Sequence, residues 1–221
     1  MGIYMLDIYR SPNIGVFLKA NNRFILTPKG LAQTKCSKLS ILLNVTPIRT
    51  SIAGSRLLGP LVALNDNGIL VSKLAEDEEI RTLSRDTGLR VARLPSKYTS
   101  VGNLIAANNK GAVASPLLHS ESLKTVKEIL DVPVETLTIA GYTQVGSMVT
   151  ATDKGAAVHP KASQKELERL SEILSVEVEP ATINGGVPFV TSGILVNKNN
   201  AVVGSLTTGP ELMILSRVFK V

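Results

Sequence analysis

A pattern of about 44 residues recurs five times along this 221-residue chain, and no other feature restricts the fold as strongly. Gly15, Gly59, Gly102, Gly146 and Gly193 anchor the copies at spacings of 44, 43, 44 and 47 residues. A short apolar stretch follows each anchor. Then comes a turn: Asn21-Asn22, Asn65 to Gly68, Asn108 to Gly111, Thr152 to Gly155, and Asn199-Asn200. Asn, Asp and Gly tolerate positive φ, so between two apolar runs they mark a β-hairpin. The second runs are Phe24-Ile25-Leu26, Ile69-Leu70-Val71, Ala112-Val113-Ala114, Ala156-Ala157-Val158 and Ala201-Val202-Val203. Pro28, Pro116 and Pro160 end three of them, since proline cannot donate to a ladder.

A helix is expected next in each copy. In the fourth, Ser163 and Glu166 form an S-x-x-E capping box ahead of Leu167, Leu170, Ile173 and Leu174 on one face. The same spacing returns in Cys36, Leu39, Leu42 and Leu43, in Leu123, Val126, Ile129 and Leu130, and in Leu212, Leu215, Val218 and Phe219. The second copy keeps Ile80 and Leu83 but then carries Asp86 and Thr87, which predicts a shorter helix. A further β-like stretch separates each helix from the next anchor, except after the last helix. The N-terminal Met5-Leu6-Asp7-Ile8 stands before Gly15 as Thr136 to Ile139 stands before Gly146. It therefore supplies the missing strand and closes a ring without an unpaired sheet edge. An open solenoid would need polar caps at both ends, and none is visible. The expectation is one domain over residues 1–221.

Composition limits what such a ring can do. The net charge of +6 suits an anionic partner such as ribosomal RNA without requiring one. Tyr4, Tyr9, Tyr98 and Tyr142 are dispersed, which argues against an aromatic platform for single-stranded RNA. Arg23, Lys110, Lys154 and Lys198 lie at or near the hairpin turns, the arrangement a charge-driven RNA-binding ring would use. A single cysteine, Cys36, excludes an internal disulfide and fits a reducing compartment. With no signal-peptide pattern and no membrane-length apolar run, the chain reads as cytoplasmic.

Three motifs sit on this frame: Ser51-Ile52-Ala53-Gly54-Ser55-Arg56, Val158-His159-Pro160-Lys161 and Asn184-Gly185-Gly186-Val187-Pro188. With the fivefold pattern, they make the chain closely resemble the translation initiation factor 6 family in its archaeal form. The resemblance implies the α+β pentein fold, a five-bladed α-β propeller of quasi-identical units about a pseudo-fivefold axis. It implies a non-enzymatic monomer, without cofactor or metal, that binds the large (50S) ribosomal subunit and blocks its association with the small one. A role in large-subunit biogenesis is a further possibility. The implied docking site lies around ribosomal protein L14 and the sarcin–ricin loop of the large rRNA, near L24e. On this sequence the docking face is the end bearing the anchor turns, with Pro60, Asn103, Ser147, Met148, Phe189 and Ile194 near the partner. Asn103 stands out because an amide beside a glycine has no packing reason to be there. Phe189 either anchors a partner or plugs the ring axis.

The rival reading is catalysis, because other penteins modify guanidine groups with a nucleophilic Cys, a His and carboxylates. Cys36 falls at the repeat position held elsewhere by Leu123, Leu167 and Leu212, which makes it a core residue. His119 and His159 occupy different units and indicate neither a Cys–His pair nor a metal site. Asp66 and Asp153 are explained as turn formers.

Overall fold

A computed structural model describes residues 2–221. Five three-stranded sheets, each backed by one outer helix, are arranged in a closed cycle about a pseudo-fivefold axis, which is the pentein arrangement. In every unit an antiparallel hairpin leads into a helix of 11 residues; in the first four the strand after it returns parallel to the hairpin's second strand, and in the fifth the N-terminal strand takes that place. Unit two shows the plan: Val62–Leu64 pairs with Gly68–Val71, Asp77–Thr87 is helical, and Arg90–Arg93 adds in parallel. The innermost strands are Lys19–Ala20, Val62–Leu64, Ile105–Ala107, Val149–Ala151 and Ile194–Val196, and they surround the axis.

The ring closes where the sequence places the seam. Ile3–Met5 pairs in parallel with Ala201–Val203, with Tyr4 opposite Val202. The Leu6 amide then donates to the Val203 carbonyl at 2.9 Å, as Leu137 donates to Ala114 at 3.1 Å in unit three. Apolar packing reinforces the seam: Leu6, Ile8, Leu195 and Val202 share one core cluster with Cys36, Leu39 and Leu43. Burial of side chains of this size stabilises by roughly 1.5–3 kcal/mol each.

The hairpin turns join the units as well as reversing the chain. The Asn65 side-chain oxygen accepts from the amides of Asn67 and Gly68, and its Nδ2 donates to the carbonyls of Asn108 and Leu130. Asn21 and Asn108 do the same toward units two and four. Asp66 and Asp153 are more than turn formers. Their carboxylates accept from the amides of Asn22 and Asn109 in the preceding unit.

Two expectations from the sequence are corrected. The unit-two helix is as long as the others. Thr87 is tolerated in the buried stripe because its hydroxyl donates to the Leu83 carbonyl at 2.6 Å, and Gly88 caps the end with φ of 68°. The second correction concerns the fifth anchor. A Cβ on Gly59 would lie 1.9 Å from the Gly15 carbonyl, and one on Gly102 would lie 2.0 Å from that of Gly59. Gly15 meets the Thr191 carbonyl in the same way, so Thr191, not Gly193, holds the fifth anchor position. Its hydroxyl satisfies itself on the Val149 carbonyl and on Thr150 Oγ1.

Candidate interaction surface

Each anchor sits in a single helical turn: Ile14–Phe17, Leu58–Leu61, Val101–Leu104, Val145–Met148 and the 3₁₀ turn Val190–Gly193. Such turns are too short for hydrophobic periodicity to register. Around the axis, the third residues of these turns are Val16, Pro60, Asn103, Ser147 and Ser192, all half-buried. Ser147 Oγ donates to the Gln144 carbonyl and Ser192 Oγ to that of Phe189, both at 2.8 Å, so these hydroxyls close their own turns. Asn103 differs. Its backbone amide donates to Ser100, but its side-chain amide has no partner among the described residues. It lines a surface groove with Lys97, Tyr98, Leu117 and Gln144.

The remaining sequence-derived candidates separate by burial. Met148 is 1% exposed and Ile194 3%, and both side chains belong to core clusters, so neither offers side-chain contact at the surface. Phe189 is 39% exposed and does not line the axial cavity. It does not plug the axis. Instead it packs edge-on against Tyr142 and His159, with ring centroids 6.5 and 6.0 Å apart. His159 is buried beneath this pair, and its Nδ1 accepts from the Lys161 amide. Burial, with the Lys161 charge adding and Glu166 opposing, lowers its pKa.

Three of the four tyrosines share one end of the ring. Tyr9, Tyr98 and Tyr142 all lie in the loops that enter the anchor turns. Tyr9 packs edge-on against Phe17 at 5.2 Å and carries the Arg56 guanidinium over its ring at 5.3 Å. Lys97 covers Tyr98 at 5.1 Å. The anchor end thus presents aromatic and cationic side chains around a nearly neutral centre.

The third residue of each outer helix fixes these loops, a role sequence reasoning recognised only in part. Glu166 closes its predicted capping box with Ser163 and also accepts from the Ala140 amide. Glu79 accepts from the Ala53 and Gly54 amides and from Ser51 Oγ, which holds Ala53 and Gly54 at φ of 54° and 67°. Glu211 binds the Gly185 and Gly186 amides and the Thr182 hydroxyl. In units one and three, Lys35 Nζ donates to the Asp7 carbonyl and Ser122 Oγ to that of Pro95. The Thr208-x-x-Glu211 spacing is itself a capping-box signal, and it is present in the sequence.

Cys36 is buried in the unit-one core, with Thr27 Oγ1 at 3.8 Å and Arg49 Nη2 at 3.6 Å from its sulfur. Among the described residues, no three His, Cys, Asp or Glu side chains are grouped to share a metal ion, and no helix is long and apolar enough to cross a membrane. At the opposite end, the turns form no simple positive rim: Lys110 Nζ donates to the Asp153 and Ser175 carbonyls, and Asp66 and Asp153 line the mouth between these turns.

The eIF-6 family model matches residues 3–218. Translation initiation factor 6 of Nitrosopumilus maritimus is 48% identical over 219 residues, covering 99% of each chain. The corresponding protein of Cenarchaeum symbiosum is 43% identical over 99% of each chain, and that of Pyrococcus abyssi 42% over 96% of each. Among solved structures, a dimethylarginine dimethylaminohydrolase aligns with a TM-score of 0.48 and 14% identity, over 76% of this chain and 68% of that one. That likeness is too distant to bear on chemistry.

Proposed function

Because the chain belongs to the eIF-6 family, whose curated relatives are translation initiation factors, we propose that it binds the large ribosomal subunit and prevents the small subunit from joining it. The observation that carries the site is the unpartnered Asn103 amide in its groove at the anchor end. A carboxamide offers two donors and an acceptor in one plane, suited to a partner's backbone or a base edge. Pro60 and Ser147 flank it in neighbouring turns, and the Tyr142, His159 and Phe189 cluster forms an exposed aromatic anchor beyond. Met148 and Ile194 act from beneath by shaping the turns that carry these contacts. Lys97 and Arg56, stacked on Tyr98 and Tyr9, supply cationic aromatic faces of the kind that receive RNA. This mixture suits a surface made of both protein and rRNA, as around L14, L24e and the sarcin–ricin loop. The protein acts as a cytoplasmic monomer, at one copy per subunit, and performs no catalysis.

Co-sedimentation with purified large and small subunits on a sucrose gradient tests this reading. The protein should travel with large subunits alone and reduce the yield of joined ribosomes. Binding to neither subunit, or to both alike, would refute it. Asn103→Ser and Phe189→Ala should weaken large-subunit binding at least tenfold, about 1.4 kcal/mol, while urea unfolding shifts little. A loss of stability with binding intact would return these residues to the fold.

A further inference from the structure

A partly open cavity of about 80 Å³ lies on the ring axis, lined by the innermost strands and the anchor turns. Glycine, alanine and other aliphatic residues, together with Thr150 and Thr191, make up its wall, and among the described residues Lys19 is the single charged one in it. The equivalent positions in the other units are Ala63, Ala106, Thr150 and Leu195, so the charge is peculiar to unit one. The Lys19 ammonium has no hydrogen bond, ion pair or ring contact with any described residue. None of the fully enclosed side-chain nitrogens or oxygens among the described residues lacks a partner. An unpartnered Nζ is therefore not sealed in packed protein: Lys19 is half-buried and lines the axial cavity.

A cation removed from bulk water is strongly disfavoured unless a counter-charge meets it. We propose that a small monovalent anion of the halide class occupies the axial cavity and pairs with the Lys19 ammonium. The volume admits a halide with one or two waters, since a water's share of the liquid is about 30 Å³. Asp66 and Asp153 stand at the hairpin-turn mouth that adjoins the cavity, with their carboxylates engaged by Asn22 and Asn109. Their repulsion grows with the charge of the ligand, which favours a singly charged ion over phosphate or sulfate. Burial alone pulls the Lys19 pKa down to about 8, and no carboxylate offsets it. At neutral pH the amine is still mostly protonated, so the need for a counter-ion persists.

The test uses the whole protein. Crystals soaked in sodium bromide should give an anomalous peak within hydrogen-bonding reach of Lys19 Nζ. In solution, bromide should raise the unfolding midpoint relative to gluconate, which is too bulky to enter, at constant ionic strength. The rise should reach ~5 °C or more at a hundredfold excess over Kd and grow with the logarithm of bromide concentration beyond it, and Lys19→Met should abolish it. Raising the pH from ~6.5 to ~10, where the amine loses its proton, should also abolish it in the unmodified chain. That arm decides the matter if the variant does not fold. An empty cavity in the anomalous map, an equal bromide response in Lys19→Met, or a response that persists at high pH would each overturn the proposal.

Discussion

Replacing Glu211 with Gln probes the coupling between an outer helix and the docking end. The carboxylate is buried and meets five donors: the Thr208 amide and hydroxyl at 2.7 and 2.9 Å, the Gly185 and Gly186 amides at 3.0 and 2.8 Å, and the Thr182 hydroxyl at 2.7 Å. Burial pushes its pKa up, but hydrogen bonds from Thr208, Thr182, Gly185 and Gly186 outweigh that and hold it at about 2, against 4.5 for a free Glu. The folded-state pKa is depressed, so the stabilisation is full above about pH 4.5 and fades as pH falls toward 2. A gap of that size corresponds to roughly 3 kcal/mol at neutral pH, of which about 2 kcal/mol is gone by pH 3. Glutamine keeps one acceptor oxygen and turns an NH2 toward donors that need an acceptor, so Glu211→Gln should lose about 2–3 kcal/mol near pH 7. Urea unfolding of both proteins at steps from pH 7 to 3 measures this. The two curves should converge as pH falls. A loss below about 0.5 kcal/mol, or a gap that stays constant across that range, would show that Glu211 does not carry the loop.

Gly102→Ala should cost about 3 kcal/mol in urea unfolding, because its Cβ would meet two backbone carbonyls, at 2.0 and 2.6 Å, that no rotamer change can move. Gly30→Ala, with open space at the same position, should be neutral within about 0.5 kcal/mol; equal effects would remove the anchor ring as a packing device. Deleting residues 1–6 leaves the Ala201–Val203 strand as an open edge and should yield self-associating protein by light scattering. A monomer with an unchanged melting temperature would show that closure is dispensable. Thiol reagents should modify native Cys36 no faster than the protein unfolds, since it is 1% exposed; rapid labelling would reopen the nucleophile reading.

By itself, the sequence determined the number of units, their hairpins and helices, and the strand that closes the ring. Each of these leaves a period, a turn residue or a capping pair within a dozen or so residues, and local stereochemistry acts over that range. It also assigned Cys36 to the core, because the repeat supplies three comparison positions, Leu123, Leu167 and Leu212. Tertiary structure decided the rest. Thr191 is the fifth anchor because ring position is set by contact with a carbonyl of the neighbouring unit, and a nearby Gly193 mimics the spacing without making that contact. The unit-two helix keeps its length because the Thr87 hydroxyl bonds back to Leu83, which a count of apolar residues does not register. Glu79 and Glu211 hold loops some 25 residues upstream, and Tyr9, Tyr98 and Tyr142 face the same end of the ring although some 45 to 90 residues separate neighbours in the chain. Lys19 looks like an ordinary strand lysine until five strands enclose it. A repeat records what each unit does alone. What the units do to one another depends on the angle at which the ring closes, and no periodicity carries that.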